Sequence, residues 1–357
     1  MDHQPSTNMN KYIAIMAGGI GSRFWPSSTS ERPKQFLDIL GIGKSLIKMT
    51  FERCLGVVSP DHIFIVTNEK YKDLVLKHLP ELPENNVLCE PSMNNTAPCI
   101  AYTALRIKAL DPNAVFAVLP SDHVILKEDA YVQILNQAFN FASENEVLVT
   151  LGIKPTRPDT GYGYIKYVPS EDGSASKVVL FKEKPDVVTA QKYVDSGEYL
   201  WNAGMFIWSV KSIIKSFERN SGDILAILSK DLSKYNTILE QDYIDKVYPE
   251  TENISIDYAI LERADNVYTI PADIGWSDLG TWSSLHAYMS DTDDKVKIGN
   301  NIHLIDSNDI IVMSNNDKAI VIKGLENYII VDEENALLIY PKADEQEIKS
   351  VVANLGN

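Results

Sequence analysis

The chain has 357 residues, enough to bury a sizeable core, and its 45% hydrophobic and 23% charged content is that of an ordinary globular protein. A formal net charge of −16 excludes an extended basic footprint for nucleic acid or an anionic membrane, so any anionic ligand must be held locally. No apolar run approaches the roughly 20 residues of a membrane span, and three scattered cysteines (Cys54, Cys89, Cys99) without C-x-x-C spacing fit a reducing, cytoplasmic setting and argue against structural zinc.

Residues 1–10, MDHQPSTNMN, are polar, cannot serve as a signal peptide, and are expected as a disordered tail. Residues 12–16, YIAIM, are an apolar run with β-branched members and read as a short buried strand. A polar loop follows. Gly18, Gly19 and Gly21 strip side chains from three of four positions, which lets backbone N–H groups approach an anion closely. Arg23 and then Lys34 add a planar fork and a point charge suited to a polyphosphate. Two commoner glycine motifs fit less well. A dinucleotide fingerprint would need glycine where Phe24 stands, and the piece Gly41-Ile42-Gly43-Lys44-Ser45 has Asp38 where a Walker loop has its leading glycine, so it reads as a turn and helix start.

Short apolar runs recur at 62–67, 86–89, 115–119 and 147–153, separated by amphipathic segments at 45–57, 69–79, 96–110 and 130–143. This alternation predicts an α/β fold with a mainly parallel sheet covered on both faces, and ligands of such sheets collect at the carboxyl ends of the strands. Two loops therefore stand out. In the first, Glu90 to Pro98, Asn95 or Thr96 can cap the next helix, while Glu90 could accept two hydrogen bonds from the amino and imino edge of a guanine. In the second, Ser121 or Asp122 could cap a helix, yet Asp122 is also a hard oxygen ligand where a nucleotide-bound Mg2+ would need one. His123 reads as a neighbour that orients this loop.

Between residues 152 and 208 come three aromatic, glycine-bearing strand segments, 161–165, 181–185 and 201–206. Alone each reads as an edge strand, a charged strand end or a core segment. Together they offer close backbone approach at Gly163, a carboxylate and an amide for hydroxyls at Glu183 and Asn202, and a cation for a phosphate at Lys184. Residues 209–264 are helical in pattern, with Asp257 as a helix cap. A strand at 267–270 leads to Gly275-Trp276-Ser277-Asp278-Leu279-Gly280, where Asp278 can be a turn residue. Beyond 291–294 the rhythm changes to short β segments at 298–305, 309–313, 319–322, 328–332 and 336–340, closed by a helix near 345–355. The expected division is thus 11–290 and a small β domain at 291–357, coiled as a short parallel solenoid, through which a homodimer would form.

Taken as a whole, Ala17-Gly18-Gly19, Gly21, Arg23-Phe24-Trp25-Pro26, Pro33-Lys34-Gln35-Phe36-Leu37, the EPxxxNTAP segment, LPSDH, FKEKP, WNAGMF and GWSDLGTW resemble the sugar-1-phosphate nucleotidyltransferase family, in the wording of its mannose-1-phosphate guanylyltransferase branch. The resemblance runs from about residue 11 to 342 and implies a Rossmann-like domain with a mixed, mainly parallel sheet. It implies GTP and mannose 1-phosphate as substrates, GDP-mannose and pyrophosphate as products, and Mg2+ as cofactor. On it, Ala17, Gly18, Gly19, Gly21, Ser22, Arg23, Lys34, Glu90, Asn95, Thr96, Ala97 and Ser121 bind the nucleotide; Gly163, Tyr164, Glu183, Lys184 and Asn202 bind the sugar phosphate; Asp122 and Asp278 hold the metal. Arg23, Lys34, Asp122 and Lys184 would carry catalysis of a direct in-line displacement with no covalent intermediate. Longer relatives continue into an isomerase domain, for which this chain is expected to leave no room. The alternatives are transfer to glucose, fucose or heptose 1-phosphate, use of another NTP, or a non-catalytic sugar-nucleotide-binding subunit. Retention of both acids and both cations speaks against the last.

Overall fold

The computed structural model describes residues 10–19, 21–171, 173, 175–290 and 294–355. Most of the expected tail and the 291–293 boundary therefore lie outside the described residues. Ten strands lead up to residue 271: β1 (Lys11–Met16), β2 (Ile63–Asn68), β3 (Val87–Glu90), β4 (Val115–Pro120), β5 (Val124–Ile125), β6 (Leu148–Ile153), β7 (Tyr164–Val168), β8 (Ser176–Lys182), β9 (Tyr199–Ser209) and β10 (Val267–Pro271). Seven follow: β11 (Trp276–Ser277), β12 (Lys295–Ile298), β13 (Ile302–Ile305), β14 (Ile310–Ser314), β15 (Ile320–Lys323), β16 (Tyr328–Asp332) and β17 (Leu337–Pro341). Two compact units emerge, neither of them one continuous stretch. One holds residues 1–18, 51–120 and 126–275; the other holds 19–50, 121–125 and 276–357.

The first unit is built on a nine-stranded sheet in the order β3-β2-β1-β4-β9-β6-β10-β8-β7. Its amino-terminal four strands pair in parallel, Ile13 lying between Ile63 and Ala117. Past β4 the pairing becomes mixed, because β9 runs antiparallel to both β4 and β6. Strand β1 reads as a continuous apolar run because both its faces are covered: Tyr12 and Ala14 join the cluster formed with the helices Thr96–Leu110 and Val210–Asn220, while Ile13 and Ile15 are equally buried on the other side. The chain leaves β3 on one side of β1 and returns as β4 on the other. Ligands of open α/β sheets bind at such switch points, and the glycine loop and Ser121-Asp122 follow the carboxyl ends of β1 and β4 directly in the chain. The segment 209–264, helical in pattern, breaks into several short helices, and Asp257–Leu261 is a single π turn.

In the second unit, β12, β14 and β16 pair in parallel and β13 with β15 likewise; β14 lies fifteen residues beyond β12, and the next pairings are offset by eighteen, as with Ser314 against Asp332. The expected β segment 298–305 is in fact two strands. Gly299 bends the chain between them at φ 133°, where a side chain would lie 2.5 Å from the Ser314 carbonyl oxygen. Strand β17 closes the coil antiparallel to β16. The core of this unit joins Phe24, Leu37, Ile39 and Leu46 to Trp282, Ile311, Ile329 and Ile348.

Candidate active site

The second unit supplies the cations and the two acids. Gly21 adopts φ +69°, and a Cβ there would stand 2.4 Å from Lys34 Cβ, so the glycine leaves room for the lysine stem. Lys34 is 5% exposed at its side chain, lies 5.5 Å above the Phe24 ring, and donates from Nζ to Asp122 Oδ2 at 2.9 Å and to the Asp278 carbonyl oxygen at 2.6 Å. The two-stranded pairing of β5 with β11 explains the meeting. Val124 faces Ser277 in an antiparallel register, which brings Asp122, two residues before β5, and Asp278, just after β11, to the same end of the ribbon. Burial alone would raise the Asp122 carboxyl, but the Lys34 ammonium and His123 outweigh it and hold it below the ordinary range. His123 accepts from Trp276 Nε1 at Nδ1 over 3.1 Å, so its Nε2 carries the proton and faces Asp122 Oδ1 at 4.0 Å. Asp278 Oδ1 also accepts from Gly280 N at 3.1 Å, as a turn residue does.

Ser22 and Arg23 lie on the one-turn helix Ser22–Phe24, and Arg23 is exposed, with no ion pair among the described residues. Nothing would meet a side chain at Gly19. Ser121 is buried, its carbonyl accepting from Thr50 Oγ1 at 3.3 Å. Among the described residues no trio of His, Cys, Asp and Glu could form a closed metal site. Two hard carboxylates that leave the other positions to water and phosphate oxygens are nevertheless a donor set that fits Mg2+.

The first unit holds two further groups of candidates. In one, Ala17 follows β1 with its backbone tied to Val66 O and Thr67 Oγ1, and Gly18 lies open toward Glu90, whose Oε2 would be 3.8 Å from an added Cβ. Glu90 is buried at the end of β3, and Tyr248 donates its hydroxyl to Oε1. Burial pushes this carboxyl up to about 7 against the opposing hydrogen bonds of Tyr248 and Cys99. Asn95 sits at φ 67° and caps the helix Thr96–Leu110 by accepting from Thr96 N at 2.9 Å. Thr96 Oγ1 accepts from Ile256 N and Ala97 N donates to Ile254 O, so both residues fasten the helix start to the segment at 254–256.

The other group gathers around Gly163. An added Cβ there would lie 2.4 Å from Glu183 Oε2 and 3.3 Å from Asn202 Cβ, so only glycine lets the carboxylate rest on the backbone. Glu183 Oε1 pairs with Lys184 Nζ at 3.2 Å, whereas Oε2 is buried without a hydrogen-bond partner among the described residues. Lys184 itself is 61% exposed on a backbone at φ 44°. Asn202 accepts from Thr150 Oγ1 at 3.3 Å and from Gly204 N at 3.1 Å, and donates from Nδ2 to Asp257 Oδ1 at 3.0 Å. Asp257 is therefore no helix cap: it is the first residue of the π turn, and Tyr258 N donates to Ser255 Oγ instead. The Tyr164 ring is buried and its hydroxyl is engaged with the backbone of Asp159. Tyr248 and Thr150 escape the sequence reading, and Asp257 enters it only as a cap, because only the fold brings them to their partners, Tyr248 being 158 positions from Glu90.

Residues 13–295 match the family model for nucleotidyl transferases, and residues 299–355 match that of a mannose-phosphate isomerase/GMP-like β-helix domain. A mannose-1-phosphate guanylyltransferase of Salmonella muenchen is 36% identical over 350 residues, covering 96% of this chain and 73% of that protein. This chain is a nucleotidyltransferase of the mannose-1-phosphate guanylyltransferase family. The nucleotidyltransferase is also 34% identical over 354 residues to a mannose-1-phosphate guanylyltransferase of Escherichia coli K12, with 96% and 73% covered. A crystal structure described as a mannose-1-phosphate geranyltransferase from Thermus thermophilus superposes with a TM-score of 0.88 at 29% identity, over 98% of this chain and 100% of the other. Nucleotidyltransferases of this family use a divalent metal. Among the described residues no helix is long and apolar enough to cross a membrane.

Proposed function

We infer that this nucleotidyltransferase moves GMP from GTP to α-D-mannose 1-phosphate, giving GDP-mannose and pyrophosphate. A phosphate oxygen of mannose 1-phosphate attacks the α-phosphorus in line; the new P–O bond forms as the bond to the β-phosphate oxygen breaks, and pyrophosphate leaves with the electron pair. The attacking phosphate is already ionised at neutral pH and needs no general base. The observation that carries this reading is the pair Asp122 and Asp278 brought to one end of a β ribbon around Lys34, in a chain whose relatives bear that activity in their names.

Asp122 and Asp278 would hold Mg2+, which when bound screens the charge between phosphates. Arg23 and Lys34 meet the β and γ phosphates across the open loop of Gly18, Gly19, Gly21 and Ser22, and Lys184 restrains the phosphate of the incoming sugar. Glu90, with Oε1 occupied by Tyr248, offers Oε2 to the N–H edge of guanine. Glu183 and Asn202 accept and donate to hexose hydroxyls. A matrix of nucleoside triphosphates and hexose 1-phosphates assayed for pyrophosphate release tests the reading: GTP with mannose 1-phosphate should lead, and preference for another pair would replace it. Three buried thiols, Cys54, Cys89 and Cys99, suit the cytoplasm, and recovery of the activity outside that fraction would refute the placement. A homodimer through the carboxy-terminal coil is supported by the exposed Leu337 and Ile339 of β17. If lysine at both positions leaves the elution volume of the full chain unchanged, that contact is wrong.

A further inference from the structure

One half-buried acid beside the proposed sugar site has no part in the mechanism above. Asp257 opens a π turn, a backbone form that recurs at functional sites, and its carboxylate accepts from Asn202 Nδ2 as well as from its own backbone N–H and Ser255. The amide is fixed from both sides. Its oxygen receives Thr150 Oγ1 and Gly204 N, which leaves Nδ2 pointing at Asp257 Oδ1 with a second hydrogen to spare. Across the same amide lies Glu183, whose Oε2 rests on Gly163 and lacks a hydrogen-bond partner among the described residues. A buried carboxylate oxygen left without a donor is costly, and a ligand hydroxyl is the natural donor. The Glu183 charge also acts on Asp257: burial first, then that charge, push the Asp257 carboxyl up to about 7, with its own backbone N–H, Lys184 and Ser255 pulling the other way. Two carboxyl groups grouped beside one amide can take two neighbouring hydroxyls, each donating to one acid, with the amide donating to a ring substituent.

We propose that Asp257 is a sugar-contacting residue: with Glu183 it forms a carboxyl pair, held in place by Asn202, that grips two hydroxyls of the hexose and discriminates between hexose epimers. The proposal rests on the reading that the Gly163, Glu183 and Asn202 cluster holds the sugar. Its test compares GDP-mannose with GDP in calorimetric titrations, since the difference between the two isolates the contribution of the sugar ring. Asp257→Asn should weaken GDP-mannose by about tenfold or more while leaving GDP within about twofold, and Asp257→Ser should do the same. In turnover, both variants should raise the KM for mannose 1-phosphate by a similar factor, leave the KM for GTP unchanged, and narrow the preference for mannose 1-phosphate over glucose 1-phosphate. Parent-like binding of GDP-mannose by either folded variant overturns the proposal, as does equal weakening of GDP and GDP-mannose. If the parent chain itself binds GDP-mannose no better than GDP, the sugar site is wrong and not merely the part given to Asp257.

Discussion

At Gly21 the left-handed backbone and the stem of Lys34 leave no space for a methyl group. Gly21→Ala should therefore displace Lys34 from Asp122, lower stability by about 1 to 3 kcal/mol and reduce turnover, a combination that chemical denaturation and a pyrophosphate assay would register. Arg23 and Asp122 are side chains whose loss leaves the core untouched; alanine at either should reduce turnover roughly a hundredfold or more with an unchanged circular dichroism spectrum, and near-normal turnover would count against their assignment. Glu90 makes a pH-dependent prediction. Its folded-state value of about 7 exceeds the ordinary 4.5, so the stability it contributes is full below 4.5, falls as pH rises, and is lost above about 7. Glu90→Gln removes that titration, and the decline in Tm between about pH 5 and pH 8 should be shallower than in the parent chain. Parallel curves would show that Glu90 is already ionised.

Among the elements, the helix Thr96–Leu110 shows how a local signal and a distant contact share one turn. Asn95 both caps the helix and occupies a backbone conformation that asparagine tolerates better than alanine. Asn95→Ala should cost about 1 kcal/mol or more by denaturant titration, and Asn95→Gly appreciably less. The cap was legible because Asn-Thr-x-Pro is a local pattern. The bond from Ile256 N to Thr96 Oγ1 was not, because nothing near Thr96 announces a partner 160 residues away. The β5–β11 ribbon is a sharper case. Each strand has only two residues, too short to show any periodicity, yet their register places Asp122 beside Asp278.

For the molecule as a whole, the residues of the amino-terminal signature have two employments. Phe24 and Leu37 belong to the same core as Trp282, Ile311 and Ile329, while Arg23 is exposed and Lys34 reaches Asp122. Removing residues 291–357 should thus expose Phe24 and Leu37 and disorder the glycine loop, so the truncated chain should lose cooperative unfolding in a thermal melt and most of its turnover. The α/β alternation, the strand ends that carry Glu90 and Asp122, and the coiled β segments could be read from sequence, since each rests on periodicity or turn chemistry within about ten residues. The π turn at Asp257, the pairing of Tyr248 with Glu90, and the grouping of 19–50 with the carboxy-terminal coil could not. The sequence by itself determined which side chains carry charge and where turns open beside them. Only the tertiary structure decided which of those charges meet, because burial and pairing depend on segments far apart in the chain, 88 positions for Lys34 and Asp122, and the free energy of a buried acid is set by neighbours the local chain does not contain.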